Sequence, residues 1–263
     1  MRVVSHTCSN TEIVCALGCE QMLVGVDNDS DYPPEVVRSL PQLGRDLNLE
    51  LAPVLALKPD LVLTSRTLPG HDAIVLALEA AGLNTLVCEP LRLADVYTDI
   101  RRIAAALGVP ERGVKLCERI RDAMPPITPS TPRPTVLVEW WPKPVIAPTR
   151  DSWVTDLIEL AGGCNPFADR PGKSTPLTDA EVLQAAPDAI VMSWCGVPLS
   201  KYRADVVRRR PGWDALAAVR AGRIHAVTEA YLGRPGPRLV EGYRALRVLI
   251  EAMGREPTEA VRL

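Results

Sequence analysis

One histidine and three cysteines lie close together near the start of the chain, at His6, Cys8, Cys15 and Cys19. Imidazole and thiolate groups are typical ligands of Zn²⁺ and of cobalt or iron. Cys15 and Cys19 are four residues apart in an apolar stretch that predicts a helix, where free thiols pack as small hydrophobic groups. His6 and Cys8 lie at the predicted strand end. We expect the turn to present backbone N–H groups of Cys8 and Ser9 to a ligand; metal coordination by His6 or Cys8 is the alternative.

Four tryptophans of the second half of the chain fall at predicted strand ends and helix starts: Trp140, Trp141, Trp153 and Trp194. Trp213 lies apart from them in sequence. Each large aromatic side chain buries roughly 150–250 Å², and its flat face suits a macrocyclic ligand. The cluster therefore predicts one wall of a binding cleft. The alternative is that these side chains fill the core of the second half.

Arginines are also placed in predicted loops at the same ends of the strands, namely Arg66, Arg150, Arg234 and Arg238. Guanidinium groups bind carboxylate, phosphate or amide groups of a ligand through several N–H donors. We expect Glu139 to pair with Arg66 or Arg234. A local pair of Arg150 with Asp151 and a helix-start role for Arg238 are the alternatives. The arginine run 208–210 is expected to be a solvated helix end.

The chain alternates predicted strands and helices, which indicates an α/β fold with parallel sheets. The segment VLALKPDLVLTS, residues 54–65, recurs as VLQAAPDAIVMS, residues 182–193. In each copy a helix, a Pro-Asp pair and a buried strand follow one another. The repeat predicts two equivalent lobes, and Arg66 and Trp194 directly follow the two strands. Since ligands of open α/β sheets bind at the carboxyl ends of strands, we expect a cleft between the lobes.

Composition excludes several classes of function. The net charge of −2 over 263 residues gives no basic surface for nucleic acid. No stretch reaches the roughly 20 apolar residues of a membrane-spanning helix, so membrane insertion is not expected. The first residues, MRVVSH, enter a strand directly. This start predicts a cytoplasmic protein, and a periplasmic or secreted protein that has been trimmed is the alternative.

Signals for an enzyme are weak. The sequence contains none of the G-x-S-x-G, P-loop and H-E-x-x-H patterns, and we predict no catalytic residue. Its three histidines are far apart in sequence, which argues against a histidine-rich metal site. We therefore expect a binding protein rather than an enzyme, with no intrinsic cofactor.

Six segments in order along the chain carry a family resemblance: RVVSHTCSNTEIVCALG, LVGVDNDSDYPPEV, LELAPVLALKPDLVL, EVLQAAPDAIVMSW, GWDALAAVRAGRIHAV and GRPGPRLVEGYRAL. They resemble the cobalamin-binding branch of the cobalamin, siderophore and haem class of periplasmic substrate-binding proteins, the helical-backbone metal receptors. The resemblance implies two Rossmann-like lobes with parallel sheets, joined by a single long helix. The implied bounds are 1–109 for the first lobe, 110–132 for the linking helix and a proline-rich break, and 133–263 for the second lobe.

The resemblance also implies a function. Such proteins bind a bulky, rigid, metal-containing ligand in a shallow cleft, and aromatic side chains matching Tyr32 and Tyr231 touch the corrin. The chain departs from the family pattern at His6 and Cys8, where other residues are expected. The glutamates that dock on an ABC importer are expected near 71–72 and near 233, where this chain has His71, Asp72 and Gly233, so docking on an importer is not expected.

The leading hypothesis from the sequence is a non-catalytic protein that binds a corrinoid such as cobalamin. Haem or a ferric siderophore is the alternative ligand within the binding class. The alternative of another class is an enzyme that modifies or salvages a corrinoid with His6 or Cys8.

Overall fold

The computed structural model describes residues 1–255 and divides into two compact α/β units. Unit 1 comprises Met1–Pro90, Ala94–Asp122 and Pro235–Pro237. Unit 2 comprises Leu91–Leu93, Ala123–Arg234 and the described residues from 238 onward. The predicted α/β class, with parallel sheets in two units, is confirmed.

Unit 1 is built on a four-stranded parallel sheet in the order β2-β1-β5-β6. Its strands are β1 (Val3–Ser5), β2 (Leu23–Val26), β3 (Gly44–Arg45), β4 (Asn48–Leu49), β5 (Leu61–Ser65) and β6 (Thr85–Cys88). Its helices are α1 (Cys8–Ala16), α2 (Pro34–Val37), α3 (Leu51–Ala56), α4 (His71–Ala80), α5 (Leu93–Ala106) and α6 (Pro110–Asp122). The central strands β1 and β5 are buried along their whole length, as is typical of parallel strands covered on both faces.

Unit 2 has a parallel sheet in the order β12-β11-β7 and an antiparallel sheet in the order β10-β9-β8. Its strands are β7 (Val136–Glu139), β8 (Trp141–Pro142), β9 (Val145–Pro148), β10 (Ser174–Leu177), β11 (Ala189–Met192) and β12 (Ile224–Ala226). Its helices are α7 (Trp153–Leu160), α8 (Asp179–Ala185), α9 (Ala204–Arg208), α10 (Ala217–Arg220), α11 (Glu229–Leu232) and α12 (Leu239–Arg255). Within residues 1–255, no helix combines the length and the apolar character that crossing a membrane requires.

The segment 110–132, which was expected to hold the helix that joins two lobes, contains the helix α6 (Pro110–Asp122). α6 ends at Asp122 and belongs to unit 1, whereas the residues after it belong to unit 2. A Cβ atom on Gly113 would lie 2.5 Å from the Cβ atom of Ala104, so only glycine lets α6 approach α5 this closely. The guanidinium of Arg112 also donates hydrogen bonds to the carbonyl oxygens of Leu17 and Gly18. These contacts fix α6 within unit 1.

Candidate functional site

The carboxyl edge of the unit 1 sheet has the topology of a ligand site. β1 and β5 are neighbours, and the connections after them run to opposite sides of the sheet, from β1 to β2 and from β5 to β6. In open α/β sheets, ligands bind where the strand order reverses in this way. The residues after β1 begin with His6, and the residues after β5 begin with Arg66.

The turn after β1 is held in a strained conformation. Thr7 has φ of 89°, a value that is unfavourable for a side chain with a Cβ atom. Its backbone N–H donates to Asp27 Oδ2 at 3.0 Å, and the Cys8 thiol donates to the Asp29 carbonyl oxygen at 2.8 Å. Cys8 and Ser9 form the start of α1, and the Ser9 side chain is buried. Burial raises the pKa of Asp27, although hydrogen bonding to Ser30 opposes the shift. The predicted helix N-terminus is thus at the switch point of the sheet.

Three titratable side chains meet beside this turn. His6 and His71 are fully buried with ring centroids 5.5 Å apart, and the Asp46 side chain between them is 21% exposed. His71 Nε2 lies 2.6 Å from Asp46 Oδ1, and His6 Nε2 lies 2.7 Å from the Asp46 carbonyl oxygen. Burial is the main cause that lowers the pKa of His6. We refer to His6, Asp46 and His71 as the His–Asp–His cluster.

Sequence reasoning missed two members of this cluster. Distance in sequence was taken as distance in space, and that inference was wrong for His6 and His71. The signal that could have found His71 is its position just after the loop that follows β5, close to the end of β1 in a parallel sheet. Asp46 had no such signal, because it lies at the tip of the β3–β4 hairpin.

The other predicted residues of unit 1 are more exposed. Tyr32 is 44% exposed. Arg66 is about half buried, with Nε 3.0 Å from Asp72 Oδ1 and Nη1 4.0 Å from Glu89 Oε2. Asp72 is therefore an exposed acid at a position where the resemblance places a docking glutamate. These side chains offer an aromatic face and a guanidinium group on unit 1.

In unit 2, two buried donors lie at the ends of neighbouring strands. Trp140 follows β7 and Ser193 follows β11, and these strands are hydrogen-bonded to each other. Trp140 Nε1 and Ser193 Oγ are buried and have no hydrogen-bond partner among the described residues. An unpaired buried donor costs about 1–3 kcal/mol. Such groups call for a functional explanation, and a ligand that accepts hydrogen bonds supplies one.

The surroundings of Trp140 are aromatic and positively charged. Its ring centroid lies 5.7 Å from that of Trp153. The Lys173 ammonium lies 5.9 Å from the Trp140 ring and 4.5 Å from the Trp153 ring. Trp141, the next residue, is 42% exposed and donates its indole N–H to the Lys143 carbonyl oxygen at 3.1 Å.

The expectation of a wall made of four tryptophans is wrong for two of them. Trp153 is 1% exposed and donates its indole N–H to the Leu232 carbonyl oxygen at 2.7 Å. Trp194 is 4% exposed and donates to Glu139 Oε2 at 3.2 Å. Both indoles are packed in the interior with their polar atoms satisfied, so they stabilise unit 2 instead of offering a face.

The predicted partner of Glu139 is also corrected. Its carboxylate pairs with Arg210, with Nη2 3.0 Å from Oε2, and burial raises the pKa of Glu139. The Arg210 side chain is only 10% exposed, so the arginine run is not a fully solvated helix end. Arg234 pairs instead with Glu229 Oε1 at 2.7 Å.

The last two predicted residues lie on loops or short helices of unit 2. Arg150 is exposed, and its Nε lies 3.6 Å from Asp151 Oδ1, which is the local pair that the sequence left open. Tyr231 is half buried in α11, and the Arg238 guanidinium lies 5.8 Å from its ring centroid. A ligand role for these side chains stays a prediction.

Comparison with known proteins gives consistent matches over nearly the whole chain. The model of the family described as "Periplasmic binding protein" matches residues 3–231. The uncharacterized ABC transporter substrate-binding lipoprotein YvrC of Bacillus subtilis is 30% identical over 254 residues, which cover 93% of this chain and 78% of YvrC. A vitamin B12-binding protein of Photorhabdus laumondii is 28% identical over 198 residues, covering 73% and 70% of the two chains.

A solved structure is also similar to this chain in both fold and sequence. The periplasmic heme-binding protein RhuT of Roseiflexus sp. RS-1, in its apo form, superposes with a TM-score of 0.79 at 30% identity. The match covers 95% of this chain and 98% of that one. Together with the lipoprotein YvrC, these matches contradict the expectation of a cytoplasmic protein. That expectation rested on the first residues of the sequence, which do not establish the compartment.

Proposed function

Since the chain belongs to the periplasmic binding protein family, we propose that it binds a corrinoid of the cobalamin type without catalysing a reaction. The chain is a substrate-binding protein, and the corrinoid is the finer assignment that we add. Relatives named vitamin B12-binding proteins support it, at 26–28% identity.

The observation that carries the proposal is the pair of unpaired donors, Trp140 Nε1 and Ser193 Oγ. They are buried at the carboxyl ends of adjacent strands, where ligands of this fold class bind. A corrinoid carries amide groups around a flat ring. Their carbonyl oxygens accept hydrogen bonds from N–H and O–H donors, and the exposed indole of Trp141 offers an apolar face.

Haem is the second candidate, because RhuT is named as a heme-binding protein. Haem differs from a corrinoid in its two carboxylates and in its need for an axial ligand from the protein. Within unit 1, the Arg66 guanidinium is a suitable partner for a carboxylate, and the exposed Tyr32 is a side chain of a type that haem proteins use as an axial ligand. This set of residues keeps haem as the alternative to be tested.

A corrinoid-modifying enzyme that uses His6 or Cys8 has less support. Both ring nitrogens of His6 are engaged, by Thr64 Oγ1 at 2.8 Å and by the Asp46 carbonyl oxygen. The Cys8 thiol is a donor to the Asp29 carbonyl oxygen. Neither group is positioned as a nucleophile with an adjacent base.

The proposal is tested by titrating the purified protein with cyanocobalamin and, separately, with haemin, using calorimetry and visible spectra. We expect saturable one-to-one binding of cyanocobalamin that is tighter than binding of haemin. Trp140→Phe keeps the ring and removes the N–H, and should weaken cobalamin binding about 5-fold, the value of one neutral hydrogen bond.

Trp153→Phe is the matched control, because its N–H is already bonded to the Leu232 carbonyl oxygen. This variant should lose thermal stability and keep its affinity. Tighter binding of haemin than of cobalamin would replace the proposed ligand by haem. Failure to bind either compound, or unchanged cobalamin affinity in Trp140→Phe, would contradict the proposal.

A further inference from the structure

We propose that His6, Asp46 and His71 form a binding site for one divalent transition-metal ion such as Zn²⁺. The ligand atoms of the three side chains all lie within 4.8 Å of one another. Two imidazoles and a carboxylate are a typical ligand set for this class of ion. The site lies entirely within unit 1, so it does not depend on the corrinoid proposal.

Three rigid features bring these residues together. His6 directly follows the buried strand β1, and His71 is the first residue of α4. Asp46 lies at the tip of the β3–β4 hairpin, whose backbone approaches so closely that a Cβ on Gly44 would lie 2.4 Å from the Asn48 carbonyl oxygen. The Asp46 N–H donates to Asp29 Oδ2 at 2.9 Å and fixes the tip in place.

The distances from Asp46 Oδ1 to the two imidazole Nε2 atoms can be compared with those of a tetrahedral site. Metal–ligand bonds of about 2.0–2.2 Å put neighbouring ligand atoms about 3.4 Å apart. His6 Nε2 and Asp46 Oδ1 are 3.6 Å apart, which fits without adjustment. His71 Nε2 and Asp46 Oδ1 are 2.6 Å apart, joined by a hydrogen bond, and must separate by about 0.8 Å to reach the 3.4 Å of a tetrahedral site. The partly exposed Asp46 side chain gives an ion access from solvent.

The ring protons must move when an ion binds. His6 now donates from Nε2 to the Asp46 carbonyl oxygen, so binding through Nε2 shifts its proton to Nδ1. Thr64 Oγ1, 2.8 Å from Nδ1, is in place to accept a hydrogen bond from the resulting Nδ1–H group. Such a second partner for a metal-binding imidazole is a usual feature of metal sites.

Binding of an ion through His71 requires a change in the neighbouring loop. Its Nδ1 accepts long hydrogen bonds from the N–H groups of Thr67 and Leu68, at 3.2 and 3.4 Å. Moving its ring proton from Nε2 to Nδ1 breaks both, so binding of an ion must displace the segment 67–68. Gly70, with φ of 101°, follows this segment. A local change in this loop is therefore a specific sign of coordination by His71.

Thiols are the main competitors for such an ion. Burial raises the pKa of the Cys15 and Cys195 thiols to about 12 and also raises the pKa of Cys19. These groups stay protonated near neutral pH and are poor ligands. Cys8 and Cys164 are half buried and are the thiols that the experiment must exclude.

The experiment uses the full chain after treatment with a chelator, with Co²⁺ as a spectroscopic probe and Zn²⁺ in calorimetry. We expect one equivalent of Co²⁺ to give visible absorption typical of four-coordinate cobalt, without the near-ultraviolet thiolate band. Asp46→Asn keeps an oxygen that accepts from His71 and removes the charge. It should weaken binding by at least about 100-fold, because losing a charged ligand costs more than the 10–100-fold typical of a residue that only supports a ligand.

Asp122→Asn, at an exposed end of α6, is the matched control and should bind like the wild type. Hydrogen exchange of the wild-type protein gives a readout that needs no variant: Co²⁺ should speed exchange at Thr67 and Leu68. The proposal is overturned if the wild type binds no Co²⁺, if the thiolate band dominates, if Asp46→Asn binds equally well, or if exchange at these amides is unchanged.

Discussion

Replacing Ser193 by alanine should stabilise the protein and weaken ligand binding at the same time. The Ser193 side chain is fully buried, and its hydroxyl has no partner among the described residues. Because an unpaired buried hydroxyl costs about 1–3 kcal/mol, its removal should raise the free energy of unfolding by about 1 kcal/mol. That gain corresponds to a melting temperature about 2–4 °C higher for a protein of this size.

The loss in binding follows from the same atom. If the hydroxyl donates to the ligand, Ser193→Ala should weaken the affinity for cobalamin by about 1 kcal/mol, or roughly 5-fold. Ser200→Ala, at an exposed position of unit 2, is the control and should change neither quantity. Denaturant unfolding and calorimetric titration measure the two effects.

Two outcomes would refute this reasoning. A Ser193→Ala variant that is less stable than the wild type would show that the hydroxyl is already satisfied within the protein. A more stable variant with unchanged affinity would show that the hydroxyl is unpaired for a reason other than ligand binding.

Three further predictions concern the scaffold. Arg210→Ala should cost about 3–5 kcal/mol in denaturant unfolding, because it leaves the buried Glu139 carboxylate unpaired. Gly242→Ala should lower the melting temperature markedly, since a Cβ atom there would lie 2.2 Å from a carbonyl oxygen of α11. Hydrogen bonds from Thr178 lower the pKa of Glu181 to about 2. The contribution of Glu181 to stability is therefore complete above pH 4.5 and is lost as the pH falls toward about 2. In Glu181→Gln, the free energy of unfolding should depend less on pH across that range, as denaturant unfolding at several pH values would measure.

The sequence predicts the fold well because the relevant signals are local. Buried apolar strands that alternate with helices specify parallel sheets, and the repeat of residues 54–65 at 182–193 indicates two similar units. The family assignment from the ordered motifs is confirmed. The sequence predicts a helix in the segment that contains α6, but the close packing of Gly113 on α5 depends on a tertiary contact that no local pattern reveals.

The site was predicted less completely, since burial is a property of the folded chain. Trp153 and Trp194 occupy strand-end or helix-start positions as expected, yet both turn into the core with their indole N–H groups paired. Glu139 pairs with Arg210, which lies 71 residues later in the chain. Sequence spacing does not predict contacts between residues so far apart. Similarly, His6 and His71 meet only because β1 and β5 are adjacent in the sheet.

The central claim is that Trp140 at the end of β7 donates a hydrogen bond to a corrinoid. The most direct measurement is the nitrogen–proton spectrum of the five indole groups during titration with cyanocobalamin, with the Trp140 signal assigned from Trp140→Phe. The account predicts that the Trp140 signal shifts and that its exchange with solvent becomes slower than in the free protein, while the signals of Trp153 and Trp213 stay in place. A Trp140 signal that is unchanged at saturating cobalamin would contradict it.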